Sequence, residues 1–497
     1  MRSLREFIKK LEELGDLATV KKETDSNLET AAITAMSYRQ GGPALQFSKI
    51  KGFPNYSLVG GLYTGPGNLY LEKRKYWRRA AIGLDMDPKI PYKGFQAGFL
   101  ERRTHKIFPL EVAKGPCKEE IITGKNVDIT KLPIPMLHQK DGGRYNTLHT
   151  LIVKDLDTDW VSWTSHRVMV IDGNRLTGPI PEESSAGQIY ENYKKAGKPM
   201  PFAIAIGAPP AVTLISNMYI PKGESPAALA GGVNLDPIEL VKAETNALFV
   251  PSQSEIIIEG EVSPKETSSE GPFPAYWFYE GKRPQPVYNI KAITKRKDAI
   301  IPFSVDGVKP SDTHNLLSLM ISVELQRRLI EERNIPVFWT QMPLEFNLNV
   351  AIVCAPMLFH GLVLWISRYL LSQSRGLGSL FSKVIVVDER TPDISLEDAI
   401  NDVIYRCHPN RGYHFTEGAP IGPNMRCASA EQKRFGSISG LYLDTGWPKE
   451  WTADDIPRRV SLEGSFPKAL LEKVAANYKR LGFKGDPVVF EEAIIPF

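Results

Sequence analysis

The chain has 497 residues, 42% hydrophobic and 24% charged, which is too long for one core, so two or three domains are expected. Its 61 Lys and Arg face 57 Asp and Glu, a net charge of +4 with no dense basic block, which argues against nucleic acid as the main partner. The four cysteines (Cys117, Cys354, Cys407, Cys427) form no CxxC and the N-terminus lacks a signal peptide's apolar core, so a reduced cytoplasmic chain is expected.

In chain order, Ser3 and Glu6 read as a capping box. Leu4, Phe7, Ile8, Leu11 and Leu14 then share one helical face, and Gly15 ends the helix. A mixed α/β segment follows to about residue 115, with strands expected at 43–47 and 56–61. From 116 to 305 the texture is β. Short β-branched runs at 146–153, 167–171, 202–206, 211–215 and 255–262 are separated by Gly and Pro, the pattern of a barrel or sandwich. A helix at 186–196 interrupts them, and 264–272 reads as a loop. After 305 the pattern returns to α/β, with a helix at 314–331. Residues 350–371 are apolar enough to raise a membrane span, but Pro356, His360, Gly361 and Arg368 favour a buried strand running into a buried helix. An apolar strand at 382–387 ends in Asp388-Glu389, and Ser395 starts another helix. In the tail, Ser465 and Pro467 open a helix whose apolar face is Leu470, Leu471, Val474, Tyr478 and Leu481, and Gly482 closes it.

The common catalytic signatures are absent: no Walker A loop, HExxH, GxSxG or CxxC pair. Gly376-Leu-Gly378 precedes a strand instead of following one, which excludes a dinucleotide-dependent oxidoreductase. Cys407-His408 with His414 is too sparse for a zinc site, His149 reads as a core histidine, and His314 stands at a helix start. Two elements are more informative. Trp163-Thr-Ser-His166-Arg167 places a fixed positive charge at the edge of a β structure, where a buried guanidinium needs an anionic partner. Glu270-Gly-Pro-Phe-Pro offers a carboxylate on a rigid turn. Paired, they would hold a substrate carboxylate or relay a proton, although spacing alone leaves two surface loop residues as the alternative.

Several ordered pieces resemble one family. They are Ser3-Leu-Arg-Glu-Phe-Ile, Pro43-Ala-Leu-Gln-Phe, Asp128-Ile-Thr-Lys-Leu-Pro-Ile-Pro, Asp141-Gly-Gly-Arg-Tyr, Ile206-Gly-Ala-Pro-Pro-Ala, Val241-Lys-Ala-Glu-Thr-Asn, Val250-Pro-Ser-Gln-Ser-Glu-Ile and Glu270-Gly-Pro-Phe. Together they are similar to the UbiD family of prenylated-FMN-dependent (de)carboxylases. The resemblance implies an α+β and α/β multidomain fold: an N-terminal α/β region (1–115), a central flavin-reductase-like split β-barrel holding the cofactor (116–305), a C-terminal α/β domain (306–460), and a terminal dimerisation helix and tail at a subunit interface (461–497). It implies interconversion of an aromatic acid and its decarboxylated product plus CO2. Prenylated FMN acts as the electron sink, and the family also uses a divalent metal such as Mn2+ and K+.

Carried over by position, Arg167 matches the family's catalytic arginine and Glu270 the first glutamate of Glu-Gly-Pro-Phe-Gly-Glu. Ser162, Trp163, Thr164, Ser216 and Met218 fall in the cofactor-binding segments, and His166 and Tyr276 flank the two retained residues as candidate proton carriers. The family's metal ligands, an Asn, a His and a Glu, fall on Ser162, Ser185 and Pro226, with Glu224 two residues away. The second glutamate falls on Ala275. A flavin-phosphate lysine is missing near Gly436, with Lys433 and Arg434 close by. Serines do not replace an imidazole and an amide as metal ligands, so metal binding is in question.

Two readings follow. One is a carboxy-lyase for a phenolic or phenylphosphate-type substrate. The other is a cofactor-poor subunit scaffolding an active paralogue, since 406–414 and Gly446-Trp-Pro-Lys-Glu-Trp resemble the UbiD-like subunits of multisubunit phenylphosphate carboxylases. A homo-oligomer, or a hetero-oligomer with another UbiD-like subunit, is implied in either case, with no membrane partner.

Overall fold

In a computed structural model the chain is described except at residues 65–74, 276, 360, 373–379, 389–395, 423–424, 449, 453, 458–459, 461, 485–486 and 488–497. The first helix, Leu4–Glu13, buries Leu4, Phe7, Ile8 and Leu11, as its periodicity requires. Ser3 Oγ accepts from the Glu6 N–H at 3.2 Å, but the Glu6 carboxylate accepts from the Arg2 N–H at 2.7 Å instead of closing the box.

The expected N-terminal strands form as Ala44–Phe47 and Ser57–Gly60. They pair in a four-stranded sheet between Leu17–Val20 and Ile300–Phe303. The last of these strands returns from beyond the barrel, so the N-terminal layer is closed by residues far along the chain. Beneath it lies a fully buried ion pair. Arg79 Nε and Nη2 donate to the two oxygens of Asp16 at 2.7 and 2.8 Å, and its remaining N–H groups reach the carbonyls of Gly61 and Gly42.

The centre is a curled nine-stranded sheet. Its order is Tyr145–Asn146, Val168–Asp172, Arg175–Thr177, Arg283–Lys295, Ile256–Glu270, Met200–Ile206, His149–Lys154 and Val161–Thr164, with Glu120–Thr123 also beside Arg283–Lys295. Its strands are apolar on both faces. Leu151, Val153, Ile204 and Ile258 enter one core, while Ile152, Ala203, Ala205 and Ile257 enter another under the flanking helices.

Two local readings are corrected. Residues expected to form a strand at 211–215 are the helix Pro210–Ser216, because Pro210 stands at the first helical position, where its fixed φ and missing N–H favour a helix start. The expected loop at 264–272 lies mostly within the long strand Ile256–Glu270, where a register shift between Val262 and Thr267 accommodates Pro264.

The helix Asp312–Arg327 follows, capped by Ser311. Asp312 accepts from Tyr38 OH and from the backbone N–H groups of Gly61 and Tyr63, tying this helix to the N-terminal layer. The C-terminal sheet runs Trp339–Gln341, Val350–Cys354, Lys383–Val387, Ser437–Asp444, Tyr413–Pro420. Residues 350–371 are a buried strand leading to the helix Leu362–Leu371, and no helix among the described residues is long and apolar enough to cross a membrane. The tail forms the helix Lys468–Ala476 and a final turn to Gly482 (φ +91°), burying Leu471 while Leu470 and Val474 stay exposed. All four cysteines are free. Tyr276, His360, Gly376, Gly378, Glu389 and Ser395 lie outside the described residues.

Asp16→Asn strands the Arg79 guanidinium in an apolar layer and is expected to cost roughly 3–5 kcal/mol of unfolding free energy. Urea titration reads this directly, and a loss under about 1 kcal/mol would contradict the role given to the pair.

Candidate active site

Arg167 sits in the short connection between the strands Val161–Thr164 and Val168–Asp172, and Glu270 ends the strand Ile256–Glu270. The curl of the sheet brings them together. Arg167 Nε donates to Glu270 Oε1 at 2.9 Å and Nη2 to Oε2 at 3.2 Å, a bidentate charge-assisted pair. Glu270 is 2% exposed, so these are not two surface loop residues. Tyr145 OH adds a third donor to Glu270 Oε1 at 2.9 Å, and the guanidinium lies 4.8 Å from the centre of the Phe273 ring.

Local backbone packing explains this convergence. The Gly142 N–H donates to the Pro272 carbonyl at 2.8 Å. A Cβ at 142 would sit 2.1 Å from the Gly271 carbonyl oxygen, so only glycine lets the Asp141-Gly-Gly-Arg-Tyr segment reach the Glu270-Gly-Pro turn. That approach delivers Tyr145 to Glu270. Burial first, then the Glu270 charge, raise the Tyr145 phenol far above its ordinary value, so it remains a donor.

Three residues that sequence reasoning missed complete the charge cluster. The hairpin of Phe273–Ala275 and Phe278–Glu280 pairs Phe273 with Glu280, and Glu280 Oε2 stands 3.4 Å from Arg167 Nη2. Arg426, from the C-terminal part of the chain, donates to Glu280 Oε1 at 3.1 Å. Asp306 accepts from Ser304 Oγ at 2.7 Å, and burial pushes its carboxyl up to about 6 against the opposing pull of its hydrogen bonds and of His138 and Arg167. No spacing rule in the sequence points to these residues, because the hairpin pairing and the domain contact decide their positions.

His166 is pushed down to about 4, by burial and then by the neighbouring Arg167, so it is neutral at neutral pH and cannot supply a proton as an imidazolium. His149 bonds Asn146 Oδ1 through Nδ1 at 3.0 Å, and its buried Nε2 has no hydrogen-bond partner among the described residues.

The cofactor segments divide by strand alternation. Trp163 packs with Ile152, Ala203 and Ala205 in the core under the helices, whereas its neighbours Ser162 and Thr164 point to the opposite face. Ser216, buried at the end of the helix Pro210–Ser216, donates to the Thr213 carbonyl, and Met218 is buried just beyond it. Close in sequence to Arg167 and Tyr145, the buried atoms Thr164 Oγ1, His166 Nε2 and Asn146 Nδ2 have no hydrogen-bond partner among the described residues. Such orphaned groups fit a bound polar heterocycle that would satisfy them.

The metal positions behave differently. Ser162 and Ser185 are brought together, and their hydroxyls bond each other at 2.6 Å. Glu224 is engaged by Arg103 at 3.1 Å, and no cluster of three His, Cys, Asp or Glu side chains that could hold a metal occurs among the described residues. Two neutral hydroxyls and a carboxylate held by an arginine do not fit a transition-metal ion. His414 Nε2 meets the Arg411 carbonyl at 2.7 Å. Lys433 and Arg434 lie exposed on the helix Ala430–Phe435.

Two family models match the sequence: the 3-octaprenyl-4-hydroxybenzoate carboxy-lyase N-terminal domain over residues 8–94 and the Rift-related domain of the same carboxy-lyase over 110–309. Pyrrole-2-carboxylic acid decarboxylase of Pseudomonas aeruginosa is 30% identical, covering 96% of this chain and 98% of its own. The chain belongs to the UbiD family. Among solved UbiD-class structures, an enzyme of Pelotomaculum thermopropionicum in complex with FMN is 26% identical with a TM-score of 0.79, over 93% of this chain and 98% of that one. The vanillic acid decarboxylase of Sedimentibacter hydroxybenzoicus in closed form is 25% identical with a TM-score of 0.82, over 98% and 99%. The multidomain α+β architecture inferred from the UbiD-like motifs is therefore the observed one.

Asp306 gives this UbiD site a pH signature. Its folded value of about 6 lies above the unfolded 3.8, so the folded state binds the proton more tightly. The stability it contributes is present below pH 4 and is lost as pH rises through about 6, a change on the order of 3 kcal/mol. The stability difference between wild type and Asp306→Asn, measured by urea titration from pH 4 to 7, is expected to shift by that amount, and a constant difference would contradict the burial argument.

Proposed function

We propose that this UbiD-family chain is a carboxy-lyase that interconverts an aromatic or heteroaromatic acid and its decarboxylated product plus CO2 with prenylated FMN. The observation that carries the reading is the buried Arg167–Glu270 pair with Tyr145 as its third member. A guanidinium held in place by a carboxylate, over an aromatic ring, is arranged to bind and orient a planar acid.

In this scheme Arg167 holds the substrate carboxylate through the edge not used by Glu270. Glu270 keeps the guanidinium fixed in one orientation, and Tyr145 holds Glu270 in place by donating to it. Phe273 beneath the guanidinium excludes water from one side. Thr164, His166 and Asn146 would satisfy polar edges of the cofactor, with Ser162, Ser216 and Met218 beside its phosphate end. Prenylated FMN, when bound, supplies the electron sink for cleavage of the carbon–carboxylate bond. No step is assigned to a divalent metal, because the Ser162–Ser185 pair does not fit one.

The second reading, a subunit that scaffolds an active paralogue, draws its support from that serine pair and from Ala275. One experiment separates the two. The chain is produced together with a flavin prenyltransferase, its absorption spectrum is recorded, and it is tested on pyrrole-2-carboxylate, vanillate and 4-hydroxybenzoate. The carboxy-lyase reading expects bound flavin and turnover of at least one acid. Arg167→Ala and Glu270→Gln are each expected to lower kcat/KM at least 100-fold, about 2.7 kcal/mol of transition-state stabilisation. A flavin-free protein without turnover would contradict the carboxy-lyase reading, and its co-purification with a second UbiD-like chain would favour the scaffold reading.

A further inference from the structure

Decarboxylation needs more than a carboxylate clamp. The carbon–carboxylate bond breaks with its electron pair left on the substrate, and a proton must arrive at that carbon as CO2 departs. The groups around Arg167 are unequally suited to bring it. Glu270 accepts two bonds from Arg167 and one from Tyr145, three close bonds in all, against a single contact on each oxygen of Glu280. Tyr145 is held protonated by burial and by Glu270, and His166 is neutral. Asp306 is buried and fixed by Ser304.

Glu280 is placed differently. It reaches Arg167 from the second strand of the Phe273–Glu280 hairpin, directly across from Phe273. Its contact to Arg167 Nη2 is the looser one, 3.4 Å against 2.9 Å for the closest Glu270 bond. It is also the more exposed carboxylate, 11% against 2%, so it has a route to exchange protons with water. Its other oxygen is held by Arg426, a residue from a separate part of the fold.

We propose that Glu280 is the proton-transfer residue of this site, delivering a proton to the substrate carbon as CO2 leaves and taking one back from solvent. In the carboxylation direction the same carboxylate removes that proton, so atoms and charge balance without any further reactant. Arg426 is then a positioning residue that keeps Glu280 against Arg167. The proposal rests on the carboxy-lyase reading above.

The test uses the flavin-loaded full chain and the acid that wild type turns over in the panel above. Two readouts are followed: steady-state turnover, and exchange of the product's hydrogen with D2O. Glu280→Gln is expected to lower kcat at least 100-fold and to abolish exchange, with KM within threefold and the flavin spectrum unchanged. Because Ala275 is directly opposite Phe278 and two residues from Phe273 on the same strand, a glutamate there reaches the same space. Ala275→Glu added to Glu280→Gln is therefore expected to recover at least tenfold in both readouts. Full exchange in Glu280→Gln overturns the proposal, as does loss of exchange in Asp306→Asn with Glu280→Gln unaffected. A Glu280→Gln protein that has also lost its flavin spectrum, and is not recovered by Ala275→Glu, overturns it in favour of a structural role. A wild-type chain with neither turnover nor exchange overturns the carboxy-lyase reading as well, which distinguishes the two failures.

Discussion

The Arg167–Glu270 pair is the constraint around which the centre of this molecule is arranged. Removing a guanidinium and a carboxylate from water costs several kcal/mol per ion, and the cost is offset only when the geometry is close and the remaining hydrogen-bonding capacity is filled. Here that requirement recruits the surroundings: Tyr145 fills a lone pair of Glu270, Phe273 lies under the guanidinium, and Glu280 takes a share of Nη2. Tyr145 comes from a distant segment, while Phe273 and Glu280 come from the two strands of one hairpin. Gly142 against Gly271 brings in the first, the Glu270 turn itself the second, and the following hairpin the third. In the proposed carboxy-lyase, a substrate carboxylate would meet a guanidinium that is already oriented, leaving little reorganisation to be done when the bond breaks.

The parts of the fold that depend on local periodicity were readable from the amino-acid sequence. Leu4, Phe7, Ile8 and Leu11 bury as their spacing requires, and residues 350–371 form a strand and helix as their apolar run interrupted by Pro356 and Gly361 implies. Where tertiary context outweighs propensity, the reading failed. Ala211 to Ile215 is β-branched enough to look like a strand, yet Pro210 starts a helix there that packs against the sheet. The polar stretch around Pro264 looked like a loop, yet cross-strand pairing with Arg283–Lys295 carries most of it into the sheet.

The candidate site was legible in the same uneven way. Arg167 and Glu270 stand in motifs that mark a fixed charge and a rigid turn, so both could be named before any geometry was seen. Glu280, Arg426 and Asp306 could not, because their relevance comes from a hairpin register, a contact between distant segments, and burial. Trp163 shows the converse: it lies within the motif, but strand alternation turns its ring into the core beneath the helices.

The Ser162–Ser185 hydrogen bond joins two positions that the UbiD resemblance aligns with metal ligands. It closes two would-be ligand positions on each other, while Glu224 is held by Arg103. In the proposed carboxy-lyase the chemistry then rests on organic groups alone: a clamped guanidinium, its carboxylates and the flavin. The most direct test is exchange of 13C-labelled CO2 into the substrate acid by the flavin-loaded chain after dialysis against EDTA, compared with the same protein given Mn2+. Equal exchange in both samples is predicted. Exchange that is lost in EDTA and restored by Mn2+ would contradict the account.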